Sequence, residues 1–78
     1  MNNDNKRIIL CLPNHPNLFG IMTLENAKSL AEEKCPNQSE TASIIVMDNN
    51  KDVVYCLERN NGNWAEKDIK KISYYKPQ

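Results

Sequence analysis

The chain has 78 residues, with ten basic and ten acidic side chains. This length suits one small domain over residues 1–78 with a modest core, and the balanced charge argues against the cationic surface that non-specific nucleic-acid binding needs. The longest apolar runs have five residues, which is too few to span a bilayer.

The cysteines indicate a reducing environment. Cys11, Cys35 and Cys56 are odd in number, and no charged-then-apolar leader precedes them. A secreted domain held by disulfides usually has an even number of cysteines and such a leader. We therefore expect free thiols and a cytoplasmic location.

The first predicted elements form a β-hairpin. The polar stretch MNNDNK, residues 1–6, is expected to be disordered. RIILCL, residues 7–12, alternates as a strand, with Ile8, Leu10 and Leu12 on one face and Ile9 and Cys11 on the other. Pro13 and Pro16 cannot donate to a sheet, so we predict a five-residue loop before LFGIMT, residues 18–23, returns antiparallel.

A helix is predicted after this hairpin. Thr23 is a suitable N-cap, and Glu25 lies in the first turn, where the helix dipole favours an anion. An apolar stripe at three- and four-residue spacing follows: Leu24, Ala27, Leu30 and Ala31. Pro36 disfavours helical geometry at Cys35, so the helix should end there.

Three further strands are predicted from β-branched runs and turn signals. TASIIVMD, residues 41–48, and DVVYCLER, residues 52–59, are joined by a tight turn. Asn61-Gly62 is typical of a type I′ hairpin turn, which would place Trp64 opposite Arg59 in a fifth strand. Residues 67–76 fit either a strand or a helix, and we favour extended structure.

The predicted fold is α+β, an antiparallel sheet of four to five strands packed on one helix in the order β-β-α-β-β-β. Both faces of the sheet are apolar: Ile44, Val46, Val53, Tyr55 and Leu57 alternate with Ile45, Met47, Val54 and Cys56. A single helix covers one face. The other is covered by the C-terminal segment, closed in a homodimer or offered to a partner, and the sequence leaves these alternatives open.

Cys11 and His15, four positions apart, are the first candidates for chemistry. With Cys35 and Cys56 they make four possible zinc ligands, but only the first two are close in sequence, unlike the paired ligands of structural zinc sites. As a thiol nucleophile and its base, Cys11 and His15 lack an acid nearby to orient the imidazole. Two glycines are too few for a phosphate-binding loop. We therefore expect no catalytic site, metal or cofactor.

The C-terminal region mixes cations with aromatic rings, as single-strand nucleic-acid binders do. The residues are Trp64, Lys67, Lys70, Lys71, Tyr74, Tyr75 and Lys76. A tryptophan after a turn is more often a hairpin or core anchor, and the net charge is zero. We therefore do not expect direct nucleic-acid binding.

The helix and the last hairpin, taken together, resemble a family of small phage proteins. The helix positions Thr23, Leu24, Ala27, Lys28 and Ala31 and the hairpin positions Gly62 and Trp64 match its pattern over residues 20–66. This pattern is similar to that of a type I-F anti-CRISPR family, which implies a non-enzymatic inhibitor. Such an inhibitor binds a type I CRISPR surveillance complex in the bacterial cytoplasm and blocks target DNA.

The resemblance carries over one binding residue, Lys28. The basic cluster of the family's helix is missing here, because Ser29 follows Lys28 and two glutamates come after it. Lys34 or the C-terminal lysines Lys70 and Lys71 would have to supply that charge. His15, at the tip of the first loop, is a further candidate for partner contact. The alternative function is a small adaptor that homodimerises through its open sheet face.

Overall fold

A computed structural model describes residues 4–67 and shows a five-stranded antiparallel sheet with one helix. The strands and helix are β1 (Lys6–Cys11), β2 (Leu18–Met22), α1 (Leu24–Lys34), β3 (Ala42–Met47), β4 (Val53–Asn60) and β5 (Asn63–Lys67). The spatial order is β2-β1-β3-β4-β5. The predicted α+β class and the β-β-α-β-β-β order are confirmed.

The first hairpin forms as predicted, with a shift of one residue in β1. This strand begins at Lys6 and ends at Cys11, so six residues, 12–17, separate it from β2, and the predicted five-residue loop is wrong. Leu12 lies past the end of the strand but is buried. Of the predicted disordered tail, residues 1–6, the first three lie outside the described residues. The prediction is wrong for Lys6, which is the first residue of β1 and pairs with Met22.

Helix α1 begins and ends at the predicted signals. The Oγ1 atom of Thr23 accepts a hydrogen bond from the backbone N–H of Asn26 at 3.1 Å, the expected N-cap contact. Cys35 leaves helical geometry just before Pro36. Ala27 and Ala31 are fully buried because small side chains let the helix approach the sheet closely.

The predicted type I′ turn between β4 and β5 is consistent with the backbone angles. Asn61 and Gly62 both have positive φ, at 52° and 86°, as this turn requires. The turn sets the register of the hairpin, and Trp64 pairs with Arg59 as predicted.

The link between β3 and β4 corrects one prediction about side-chain direction. Asp48 organises this link by accepting hydrogen bonds from the backbone N–H groups of Asn50 and Asp52. The register then shifts beside Met47, which pairs with Val53. Because such a bulge adds one residue to a strand, Val53 packs with Ile45 and Cys56 and not with Tyr55 and Leu57, as strict alternation had predicted.

The main core lies between α1 and one face of the sheet, which we call the helix face. Its buried members are Ile8, Leu10, Leu12, Ala27, Ala31, Cys35, Ala42, Ile44 and Val46. Half-buried side chains, including Tyr55, Leu57 and Trp64, extend this core toward β5. The alternation of apolar residues in the strands therefore leaves a second apolar set on the opposite side.

Residues 67–76, for which we favoured extended structure, lie outside the described residues except for Lys67, the last residue of β5. Within residues 4–67, no helix is long and apolar enough to cross a membrane.

Candidate functional site: the open face of the sheet

The side of the sheet opposite α1 is a second apolar surface, which we call the open face. Its apolar members are Ile9, Cys11, Phe19, Ile21, Ile45, Met47, Val53, Val54 and Cys56. They reach one face because alternate residues of a strand point the same way and the registers align neighbouring strands. Phe19, Ile9, Ile45 and Cys56 form one continuous row across four strands.

Burial differs sharply between the middle and the margin of the open face. Ile45 and Cys56 are buried, and half-buried side chains of the same face pack against them. In contrast, Phe19 is 72% exposed, Ile21 64% and Val54 51%. Phe19 and Ile21 both belong to β2, which is an edge strand. In the part of the chain that the structure describes, the most exposed large apolar side chains therefore lie beside an unpaired strand edge.

A shallow groove of about 550 Å³ runs along this margin. Its side chains include Arg7, Ile9, Phe19, Ile21, Met47 and Lys51. Arg7 pairs with Ile21 on one side and with Met47 on the other, so its guanidinium-bearing side chain stands between two apolar neighbours. The groove combines an apolar floor with two cations.

The far margin of the open face, at β5, is charged and internally paired. Lys67 Nζ donates a hydrogen bond to Glu58 Oε2 at 3.1 Å. This bond lowers the pKa of Glu58 from its ordinary value, so the carboxylate stays ionised at neutral pH. The two ends of the face thus differ, since the β5 end is closed by its own ion pair and the β2 end is apolar.

The predicted partner-binding residues do not form one cluster with this face. His15 is exposed in the loop between β1 and β2, while Lys28 and Lys34 belong to α1, on the other side of the sheet. These two lysines are six positions apart in the helix, which places them about 120° apart around its axis. Lys70 and Lys71 lie outside the described residues.

The four side chains considered for zinc lie on both sides of the sheet. Cys11 and Cys56 belong to the open face, Cys35 to the helix-face core and His15 to the loop. Within residues 4–67, no group of three or more metal-ligating side chains comes together.

Cys35 is an unreactive thiol in this environment. Its Sγ donates a hydrogen bond to Glu40 Oε1 at 3.0 Å. This bond and burial raise the pKa of Cys35 above its ordinary value, against the smaller opposing effect of Arg59. The thiol therefore stays protonated at neutral pH, and a protonated thiol is a poor nucleophile.

Sequence reasoning missed Arg59, the largest fully buried side chain. Its Nη2 donates to the backbone oxygens of Asn37 and Glu40, both at 3.0 Å, and to Cys35 Sγ at 3.4 Å. Its guanidinium carbon lies 6.0 Å from the centre of the Trp64 ring. The sequence contained one indication of this position. Alternate residues of a strand share a face, so Arg59 was expected on the same face as Tyr55 and Leu57.

Arg59 fastens the α1–β3 connection to the end of β4. Besides the carbonyl contacts, its Nη1 lies 3.6 Å from Glu32 Oε2 on α1. A cation that joins helix, loop and strand fixes how α1 lies on the sheet. Arg59 thus has a structural role on the helix face.

The sequence also did not single out Phe19 and Ile21 as functional residues. Alternation in residues 18–23 placed them together on one face, but nothing in the sequence showed that this strand would be an edge strand. Exposure followed from the strand order, which only the structure gives.

Comparisons with protein-family models, with curated proteins and with solved structures find no match to this chain.

Proposed function

We propose that the protein is a non-enzymatic binding module that occupies a surface of another protein through its open face. The observation that carries this proposal is the exposure of Phe19 and Ile21 side by side on an edge strand. Contiguous apolar surface of this kind typically marks an interaction site. Burying it under a partner releases about 25 cal/mol for each Å² of apolar area removed from water.

The finer proposal names the partner as a type I CRISPR surveillance complex. It rests on the resemblance of residues 20–66 to the type I-F anti-CRISPR family, with Lys28 as the residue carried over. Under this proposal the protein blocks target DNA binding by occupying the complex. Inhibition of this kind needs no catalytic group, only a surface of the right shape and charge.

A competition assay tests both levels of this proposal. Purified type I-F complex is incubated with the protein, and retention of labelled target DNA is measured in a gel. We expect retention to fall as the protein approaches equimolar amounts, and we expect Phe19→Lys/Ile21→Lys and Lys28→Glu to reduce this effect. Glu25→Lys, at an exposed position in the first turn of α1, is the control for a change of helix charge.

Unchanged DNA retention at a large excess of the wild-type protein would remove the CRISPR partner. Inhibition that survives the Phe19→Lys/Ile21→Lys change would show that the open face is not the docking surface. Inhibition that survives Lys28→Glu would remove only the contact that the resemblance implies.

A homodimeric adaptor is the second candidate, and the symmetry of β2 favours it. Phe19 and Ile21 flank Gly20 at the middle of this five-residue strand. If two copies paired antiparallel about Gly20, Phe19 of each would lie opposite Ile21 of the other, which is a favourable cross-strand pair. Light scattering tests this candidate: a mass that doubles with concentration supports it, and a monomer at all concentrations contradicts it.

A further inference from the structure

The groove beside β2 contains the side chain of Arg7, and one nitrogen atom of its guanidinium group has no hydrogen-bond acceptor. The Nε atom of Arg7 is buried and, within residues 4–67, has no hydrogen-bond partner. Leaving a buried donor unpaired is costly, so such atoms usually meet a ligand, a water molecule or another protein group. Lys51 also lines the groove, and no acidic side chain among residues 4–67 does. The groove therefore favours an anionic group next to an apolar one.

The edge of β2 adds a second requirement for the occupant. Among residues 4–67, β2 pairs with β1 alone, and the backbone groups on its outer side are the ones that another strand could pair with. An extended peptide satisfies these groups by adding a strand to the sheet. A fatty acid or a small carboxylate would reach the cation and the apolar floor but would leave these backbone groups to water.

We propose that this groove binds an extended segment of a partner protein that adds a strand to β2 and carries an aspartate or glutamate. Its carboxylate meets the guanidinium of Arg7, and an apolar side chain two residues along the segment packs on Phe19 and Ile21, since alternate residues of a strand share a face. This inference rests on the proposed function and names which part of the open face is used and what chemistry it recognises.

Two other occupants fit the groove less well. A second copy that paired through β2 would bring the sequence LFGIM, which has no acid for Arg7. The chain's own residues 68–78 carry three lysines and one aspartate. Their net charge is positive, so the cations of the groove would repel this segment. An acidic–apolar strand from another protein meets Arg7, the apolar floor and the edge together.

A titration of the full-length, ¹⁵N-labelled protein with defined peptides tests the proposal. The probe is a blocked heptapeptide that alternates valine and aspartate, compared with the same peptide containing lysine in place of aspartate. We expect saturable binding of the aspartate peptide below about 1 mM, with resonance shifts and slowed amide exchange at residues 18–22. The lysine peptide should not bind.

Three controls separate the parts of the interaction. Arg7→Gln should weaken binding about tenfold or more, because a charge-assisted hydrogen bond is lost. Lys6→Gln removes the same charge from the preceding residue, whose side chain points to the helix face, and should change little. A peptide N-methylated at alternate positions keeps its side chains but loses strand pairing, and should bind at least tenfold more weakly.

Several results would overturn the proposal. They are no saturable binding, equal binding of the lysine peptide, or shifts centred on β5. Decanoate binding as tightly as the peptide, with no effect of N-methylation, would assign the groove to apolar carboxylates. Contacts between the ring of Phe19 and Tyr74 or Tyr75 in the free protein would assign it to the chain's own end, and a peptide-independent dimer to a second copy.

The competition assay separates this proposal from the broader one. If Phe19→Lys/Ile21→Lys abolishes inhibition but Arg7→Gln and the peptides have no effect, the open face remains the docking surface and the strand-addition proposal is wrong. If none of these changes has an effect, both proposals fail.

Discussion

The two faces of the sheet start from the same alternating pattern and end in different states. On the helix face, α1 completes a core in which Ile8, Leu10 and Ile44 are fully buried, and Arg59 closes its end. On the open face, Ile45 and Cys56 are buried while Phe19 and Ile21 face solvent. The difference teaches that apolar alternation creates two surfaces, and that one eleven-residue helix turns only one of them into a core.

Each face of the sheet also has one arginine, and the two differ in what they contact. Arg59, on the helix face, is buried, and Arg7, on the open face, is half-buried. Nε and Nη2 of Arg59 donate to backbone oxygens of the α1–β3 connection, and its Nη1, which is buried without a hydrogen bond, lies 3.6 Å from Glu32 Oε2. Arg7 also has a buried nitrogen without an acceptor within the described residues, its Nε, but it has no such contacts with the helix and the loop. Arg59 thus joins the helix, the loop and the sheet, whereas Arg7 is the residue that we propose meets a partner.

We expect the largest effect on stability from the replacement of Arg59. Arg59→Ala removes the side-chain donor of the Glu40 carbonyl and one of the two donors of the Asn37 carbonyl. It also opens a void beside Trp64, so we expect a loss of about 3 kcal/mol or more in unfolding free energy. Urea denaturation measures it. Arg7→Ala is the matched control on the open face and should cost less than about 1 kcal/mol. Equal losses would contradict the distinction between the two faces.

The aromatic residues provide the next comparison. Trp64 packs on the helix-face core, and Trp64→Ala should lower the unfolding free energy by about 2 to 3 kcal/mol. Phe19→Ala should change it by less than about 0.5 kcal/mol, because most of this ring already contacts water. Thermal unfolding of the two variants at equal concentration gives the comparison, and a larger effect of Phe19→Ala would place Phe19 in a core.

The smallest expected effect concerns the β5 end of the open face. Lys67 lowers the pKa of Glu58 below its ordinary value of 4.5, so the ionised carboxylate stabilises the fold above about pH 4.5. This contribution is lost as the pH falls through the lower pKa of the folded state. We expect Glu58→Gln to cost less than about 1 kcal/mol at pH 7, because the pair is partly exposed.

A pH series of denaturation curves checks the sign of this effect. The difference between wild type and Glu58→Gln should shrink toward zero as the pH falls well below 4.5. A difference that grows on acidification would show that the ion pair does not stabilise the folded state.

Local signals in the sequence were sufficient for the order of the elements. The Thr23 cap, the stop at Pro36 and the Asn61-Gly62 turn each depend on residues close in the chain, and the structure places a boundary or turn at each of them. Strand parity likewise assigned Ile44 and Ile45 to opposite faces. These features could be predicted because backbone geometry alone determines them.

Features that depend on contacts between distant residues could not be predicted. The bulge that moves Val53 to the open face arises where β3 and β4 pair. The burial of Arg59 requires carbonyl groups about twenty residues away along the chain. The candidate site could not be predicted for the same reason. The exposure of Phe19 and Ile21 depends on the position of β2 at the end of the strand order β2-β1-β3-β4-β5.

The central claim is that the open face is accessible to a partner while the helix face is closed. Methyl NMR of the full-length protein with a neutral paramagnetic agent in the solvent tests it without knowledge of the partner. We predict strong relaxation enhancement for the methyl groups of Ile21 and Val54 and weak enhancement for those of Ile8 and Ile44. Equal protection of all four residues would contradict the claim, because it would show that the open face is already covered.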